Sequence, residues 1–171
     1  MKQQFTPIPK INNREREISS GIIVFRKFQE EVQYLILYYG RGQWTFPRGK
    51  IEKEKEERSF TAALRETHEE TGINRGELKF VDYFKTYENW TYVKNNKKIY
   101  KTVIFYLAQT QKQTIKLEER GHGYGWFSYR EALKIFIGPK NSENRKVIKR
   151  ANDFLLKIRN QDNHRKSVEA K

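Results

Sequence analysis

Seven of the chain's 21 acidic residues, Glu52, Glu54, Glu56, Glu57, Glu66, Glu69 and Glu70, fall in one short segment of a protein whose formal charge is +14. On a helix, "RETHEE" (65–70) places Glu66, Glu69 and Glu70 at i, i+3 and i+4, on one face. Like charges at that spacing repel by ~0.2–0.5 kcal/mol per exposed pair. A sequence with no cation to hold would gain by spreading them out. Hard divalent ions such as Mg²⁺ take oxygen ligands and bridge carboxylates to substrate phosphates. Arg65, eight residues after Glu57, can pair with a carboxylate and hold the cluster in register. The plain alternative is a solvated, glutamate-rich surface helix. The ordered run Glu57-x7-Arg65-Glu66-Thr67-His68-Glu69-Glu70-Thr71-Gly72-Ile73 is harder to reach by chance than its composition.

Those side chains need elements to position them. "SSGIIVFRKF" (19–28) and "VQYLILYY" (32–39) read as strands rich in β-branched and aromatic residues. Turn and short strand follow in "GRGQWTFPRG" (40–49), punctuated by Pro47 and three glycines. The spacing predicts a helix from about 57 to 71, ended by Gly72. Two long strands are expected at 77–93 and 98–110, and another at 124–129. A helix over 129–136 stops at Gly138-Pro139. Ser142 is expected to cap a last amphipathic helix with Val147, Ile148, Ala151, Leu155 and Ile158 on its apolar side. The proline-broken residues 1–16 read as a basic arm, 17–160 as one domain, and 161–171 as a polar, frayed tail. The fold class is α+β, a sandwich of helices around a mixed sheet.

Length and composition bound the function. A chain of 171 residues builds one domain with a real core, helped by 11 Phe, 10 Tyr and 3 Trp. With no cysteine there is no disulfide or thiolate metal site. No apolar run marks a secretory signal or a membrane span, so a soluble, cytoplasmic protein is expected, here a monomer. The positive charge attracts polyanions: nucleotide polyphosphates, RNA, inositol phosphates or anionic membranes.

The glutamate segment resembles the Nudix box, G-x5-E-x7-R-E-U-x-E-E-x-G-U with U apolar. "RETHEETGI" matches except that Thr67 fills an apolar slot, and Glu57 keeps its distance from Arg65. Gly49 departs, because "KIEKEKE" is two residues longer than the pattern. The resemblance implies an α/β/α Nudix sandwich and hydrolysis of a nucleoside diphosphate linked to another moiety, with Mg²⁺ or Mn²⁺ bound. It makes Glu66, Glu69 and Glu70 the metal ligands and catalytic carboxylates, supported by Glu57 and Arg65, with the Gly49 carbonyl as a further ligand.

Residues outside the box bear on the substrate. "SSGIIVFRK", "WTFPRGKIE", "YVKNNKKIYKTVIFYLAQ" and "YGWFSYREAL" are similar in order and spacing to asymmetrical dinucleoside tetraphosphate hydrolases, over about residues 19–136. In that family two aromatic rings sandwich an adenine, and Tyr92 and Tyr124 match those places; base stacking on a ring is worth ~1–3 kcal/mol. Lys97, Lys98 and Lys101 on the same hairpin, with Arg48, are expected to meet the phosphates. Relatives often carry a late Glu before the Tyr-x-Trp strand. Here Glu119 stands one residue early, with Arg120 in its place, so Glu119 needs a loop adjustment to act as ligand or base. His122 reads either as a solvated loop residue or as a phosphate contact.

Other readings stay open. "WTFPRGKI" also resembles decapping and RNA pyrophosphohydrolase enzymes, and the charge and "NRKVIKR" suit an RNA backbone. Inositol pyrophosphate cleavage fits the charge but leaves the tyrosines unused. A non-catalytic module binding nucleotide or RNA accounts for the insertion, but it does not need three clustered carboxylates.

Overall fold

A computed structural model of the chain describes residues 15–119 and 121–169, the side chains of residues 140 and 166–169 excepted. The expected arm falls outside these residues as far as residue 14. Strand β1 (Glu15–Phe28) runs through the middle of the sheet and is followed by β2 (Glu31–Tyr38). β1 is buried on both faces from Ser19 to Phe25, which is why it reads as a continuous apolar run. Next come β3 (Trp44–Thr45), β4 (Arg48–Lys50) and helix α1 (Ser59–Thr71). β5 (Lys79–Phe80), β6 (Thr86–Lys94), β7 (Lys97–Gln109) and β8 (Gly123–Ser128) complete the sheet. Helices α2 (Tyr129–Ile135) and α3 (Ser142–Glu169) close the chain.

β1 pairs in parallel with β7 from Glu15 to Phe25, and on its other edge antiparallel with β2 and then β4. β2 and β1 diverge after Tyr34, and the short β3 and β4 fill the gap. β8 extends the sheet beyond β2, while β6 and β5 share the far edge of β7. Alternate residues feed two cores. Ile23, Ile36, Phe46, Phe105, Val147 and Ile148 lie between the sheet and α2–α3. Ile22, Val24, Leu35, Leu37, Ala63 and Ile73 lie under α1. The α/β/α sandwich around a mixed sheet is as expected. Among the described residues no helix is long and apolar enough to cross a membrane.

Several boundaries differ from expectation. Glu15 and Arg16 are strand, because Ile99 and Tyr100 of β7 pair with them. The expected strand 77–93 is broken: Arg75–Glu77 is a 3-10 turn, and β5 and β6 are separated by a loop in which Tyr83 is left-handed, φ 62°. Glu57 precedes α1, whose first flank, Arg58, is extended. Ser142 has helical angles and donates from Oγ to the Pro139 carbonyl, so it is not an extended N-cap. α3 continues through the expected frayed tail to Glu169.

Candidate active site

The box segment becomes strand, loop and helix. Gly72 ends α1 in the left-handed region, φ 67°, and its N–H donates to the His68 carbonyl at 2.8 Å. Arg65 is the hub. Its Nε and Nη2 grip Glu57 at 2.9 and 3.0 Å, and Nη2 also reaches the Lys50 carbonyl at 2.9 Å. Its Nη1 donates to Glu66 at 2.8 Å and to Glu69 at 3.2 Å. The Arg65 hydrogen bonds hold the Glu57 carboxyl below its ordinary range. The two additional loop residues are absorbed before Glu57. Lys53–Lys55 make a 3-10 turn, and Glu52 and Glu57 close it: the Glu57 N–H donates to the Glu52 carbonyl at 3.3 Å, and Glu57 Oε2 accepts from the Glu52 N–H at 2.9 Å.

Gly49 and Glu66 meet: a Cβ at Gly49 would fall 1.9 Å from the Glu66 Cδ, so only glycine admits that carboxylate. Burial pushes the Glu66 carboxyl up, against the opposing pull of Arg65. Glu70 accepts from Tyr39 Oη at 2.5 Å and from the Arg48 N–H at 2.8 Å. Burial nevertheless raises its pKa to about 7. Thr67, in the apolar slot of the box, is indeed buried; its Oγ1 has no partner. The late carboxylate that approaches this group is Glu118. Its N–H donates to the Glu70 carbonyl at 3.3 Å, and its charge acts on Tyr39. Glu119 is exposed in the following turn, and Arg120 lies outside the described residues. Sequence reading missed Tyr39 and Glu118: a tyrosine ending a strand and the first of two adjacent glutamates carry no spacing signal.

Among the described residues no three acidic or histidine side chains form a ready cage for a metal ion. The donors fit a hard divalent cation in chemistry all the same. Glu66 and Glu70 are carboxylates whose pKa values burial raises, and the Arg65 guanidinium lies between Glu66 and Glu69.

The NUDIX domain family model matches residues 14–151. The chain belongs to the Nudix family. It is 32% identical over 125 residues to the mouse (Mus musculus) asymmetrical bis(5′-nucleosyl)-tetraphosphatase, covering 67% of this chain and 81% of that protein. The pig (Sus scrofa) enzyme of the same name is 30% identical over 148 residues, covering 81% and 95%. A Caenorhabditis elegans Ap4A hydrolase, crystallised as a binary complex, shares the fold with a TM-score of 0.67 at 24% identity, covering 82% of this chain and 98% of that one. The chain is thus a Nudix pyrophosphohydrolase, and the carboxylates gathered by Arg65 are its Nudix box.

The residues expected to meet the substrate do not all come together. Tyr92 and Tyr124 cannot sandwich one base. Tyr92 is on β6 with its hydroxyl 3.4 Å from Glu17, on the α3 side of the sheet. Tyr124 is on β8, three strands beyond β7, and packs into the α1-side core with its Oη accepting from the Ile115 N–H at 3.2 Å. Register sets this: β6 pairs with β7 at one side of the sheet and β8 with β2 at the other. Lys101 is buried and bonded to Glu17 and Ser19, Lys97 pairs with Glu15 at 2.6 Å, and Lys98 faces the α1 side. His122 stands edge-on to Tyr38, with Nδ1 3.1 Å from where a Gly40 Cβ would be; it packs the β2–β3 loop.

Trp90, on the α3 side of β6, is the aromatic residue beside Arg48. The Arg48 guanidinium lies 5.7 Å from its ring centroid, while the Arg48 Nε donates to Thr45 Oγ1 at 3.0 Å. Behind them on the same face of β6, Glu88 is 2% exposed and its Oε1 has no partner. Burial pushes its pKa up to about 7 despite the Arg48 and Arg150 charges. A tryptophan and a glutamate in an alternating strand pattern gave the sequence no reason to single them out.

Proposed function

We propose that this Nudix pyrophosphohydrolase cleaves a phosphoanhydride of a dinucleoside polyphosphate, diadenosine tetraphosphate to ATP and AMP, with Mg²⁺ or Mn²⁺. The observation that carries the reading is Arg48. Its backbone N–H fixes Glu70 of the Nudix box while its guanidinium lies over Trp90, so one residue ties the carboxylates to an aromatic surface. Glu66, Glu69 and Glu70 would hold the cation, which when bound neutralises phosphate oxygens as water replaces the bridging oxygen. Arg65 sets the register of the box, Gly49 gives Glu66 its approach, and Tyr39 orients Glu70. Trp90 supports a base by stacking, and Arg48 faces the phosphates beside it. The tetraphosphatase relatives support the same substrate class.

RNA 5′-end hydrolysis is a second reading, favoured by a cavity of about 380 Å³ beside Tyr92, lined by Arg16 and Lys94 and by Lys50 and Lys97 paired with Glu17 and Glu15. Competition decides between them. Diadenosine tetraphosphate, 5′-triphosphorylated RNA and capped RNA are offered at equal concentration with Mg²⁺, and products are separated by ion exchange. ATP plus AMP as dominant products is the expected result. Dominant pyrophosphate or capped nucleotide overturns it in favour of RNA.

A further inference from the structure

The α1 helix packs mainly on β1 and leaves the outer part of its own side of the sheet uncovered. Nine residues of the β6–β7 hairpin face outward there: Tyr87, Asn89, Thr91 and Val93 from β6, and Lys98, Tyr100, Thr102, Ile104 and Tyr106 from β7. None is acidic, whereas Glu17 and Glu88 lie on the opposite face. The rings form a connected surface. Phe60, at the start of α1, meets Tyr106 edge-on at 5.1 Å and Phe80 at 4.9 Å. Tyr87 is 44% exposed and Val93 72%. Cations already lie over these rings: Lys85 Nζ is 5.8 Å from the Tyr87 centroid and 5.7 Å from that of Tyr106, and Lys98 Nζ is 5.7 Å from that of Tyr100.

We infer that this face is a binding platform for single-stranded RNA, separate from the Nudix carboxylates and independent of the substrate assigned above. Exposed rings give sequence-tolerant stacking to unpaired bases, and the lysines beside them meet the backbone. Asn89, Thr91 and Thr102 place amide and hydroxyl groups between the rings, within the chemistry that reads a ribose 2′-hydroxyl. Charge complementarity selects the occupant: nine outward residues with no carboxylate among them, with Lys85 and Lys98 over their rings, suit a polyanion. A duplex offers no free base faces to stack.

The test is fluorescence anisotropy of the full chain with a 12-nucleotide RNA bearing a 5′-hydroxyl, in EDTA, so that no hydrolysis intervenes. Binding is expected to weaken with salt at a log–log slope of about −1.4 for phosphate contacts from Lys85 and Lys98. Tyr87→Ala with Tyr100→Ala should weaken it roughly 20-fold or more. Thr91→Glu, which leaves every ring in place, should do the same by placing a carboxylate on the face; it carries the test if the double variant does not fold. DNA of the same sequence should bind more weakly, and duplex RNA at the level of the variants. Unchanged RNA affinity in Thr91→Glu, or equal affinity for RNA and DNA, overturns the inference. So does sedimentation showing that the face instead joins two copies of the chain. All three substitutions should leave nucleotide hydrolysis at its wild-type rate; absent turnover with RNA binding intact would sink the hydrolase reading and leave this one standing.

Discussion

Glu88→Gln should stabilise the protein increasingly as pH rises above about 4.5, with the full gain reached near pH 7. The carboxyl is buried among Val103, Trp90 and the α3 side of the sheet, with Oε1 unpartnered and a pKa raised from 4.5 to about 7. A raised folded-state pKa means that the folded chain holds this proton more tightly than the unfolded one. Stability from Glu88 is therefore greatest below pH 4.5, falls as pH rises between 4.5 and 7, and is flat above. At ~1.4 kcal/mol per unit the cost at pH 8 is about 3 kcal/mol. For a chain of this size that corresponds to roughly 6–12 °C in Tm if none of it is relieved by relaxation. Gln has the shape of the neutral acid and never pays this cost. Thermal unfolding of both proteins at pH 5 and pH 8 is the assay: the variant should melt several degrees higher at pH 8 and nearly level at pH 5. The same Tm difference at both pH values would refute the buried-acid reasoning.

The remaining expectations concern the box and the aromatic surface. Glu69→Gln and Glu70→Gln should each lower kcat by more than ~100-fold, with Tm within a few degrees of wild type; near wild-type turnover in both removes the metal-site assignment. Gly49→Ala puts a Cβ where the Glu66 carboxylate lies, and a displacement of about 1 Å there should lower kcat roughly 100-fold with KM little changed. Trp90→Ala should raise KM for diadenosine tetraphosphate by about tenfold. Tyr124→Ala should leave that KM unchanged; the reverse pattern restores the tyrosine to the base site.

The box was legible because its information is local. Glu57, Arg65, Glu66, Glu69 and Glu70 sit on one loop and one helix, where spacing alone fixes which side chains meet. The two-residue departure at Gly49 leaves the Glu57–Arg65 pairing in place for a local reason: the Lys53–Lys55 turn takes up the length before Glu57. What the sequence hid is non-local. Tyr92 and Tyr124 were paired as residues of suitable type, yet strand register puts them on opposite faces and near opposite sides of the sheet. Tyr39 and Glu118 reach Glu70 only because β2 and the loop before β8 end at the same place.

The carboxylates of α1 and the Trp90–Glu88 pair on the α3 side are separated by the sheet at the gap between β1 and β2. β4 occupies that gap with Arg48 and Gly49. Gly49 carries no side chain there, and Arg48 contributes its N–H to one face and its guanidinium to the other. A buried, unpaired Glu88 weakens the fold at neutral pH, and apolar side chains of similar size would not. The Arg48 and Arg150 charges act on it, and Arg48 also reaches Glu70 through its backbone N–H. Strain of this kind persists where local choices serve a site rather than the fold. Glu88 lies behind Arg48 and Trp90 on the α3 side, Thr45 Oγ1 holds the Arg48 side chain, and the Arg48 backbone N–H holds Glu70.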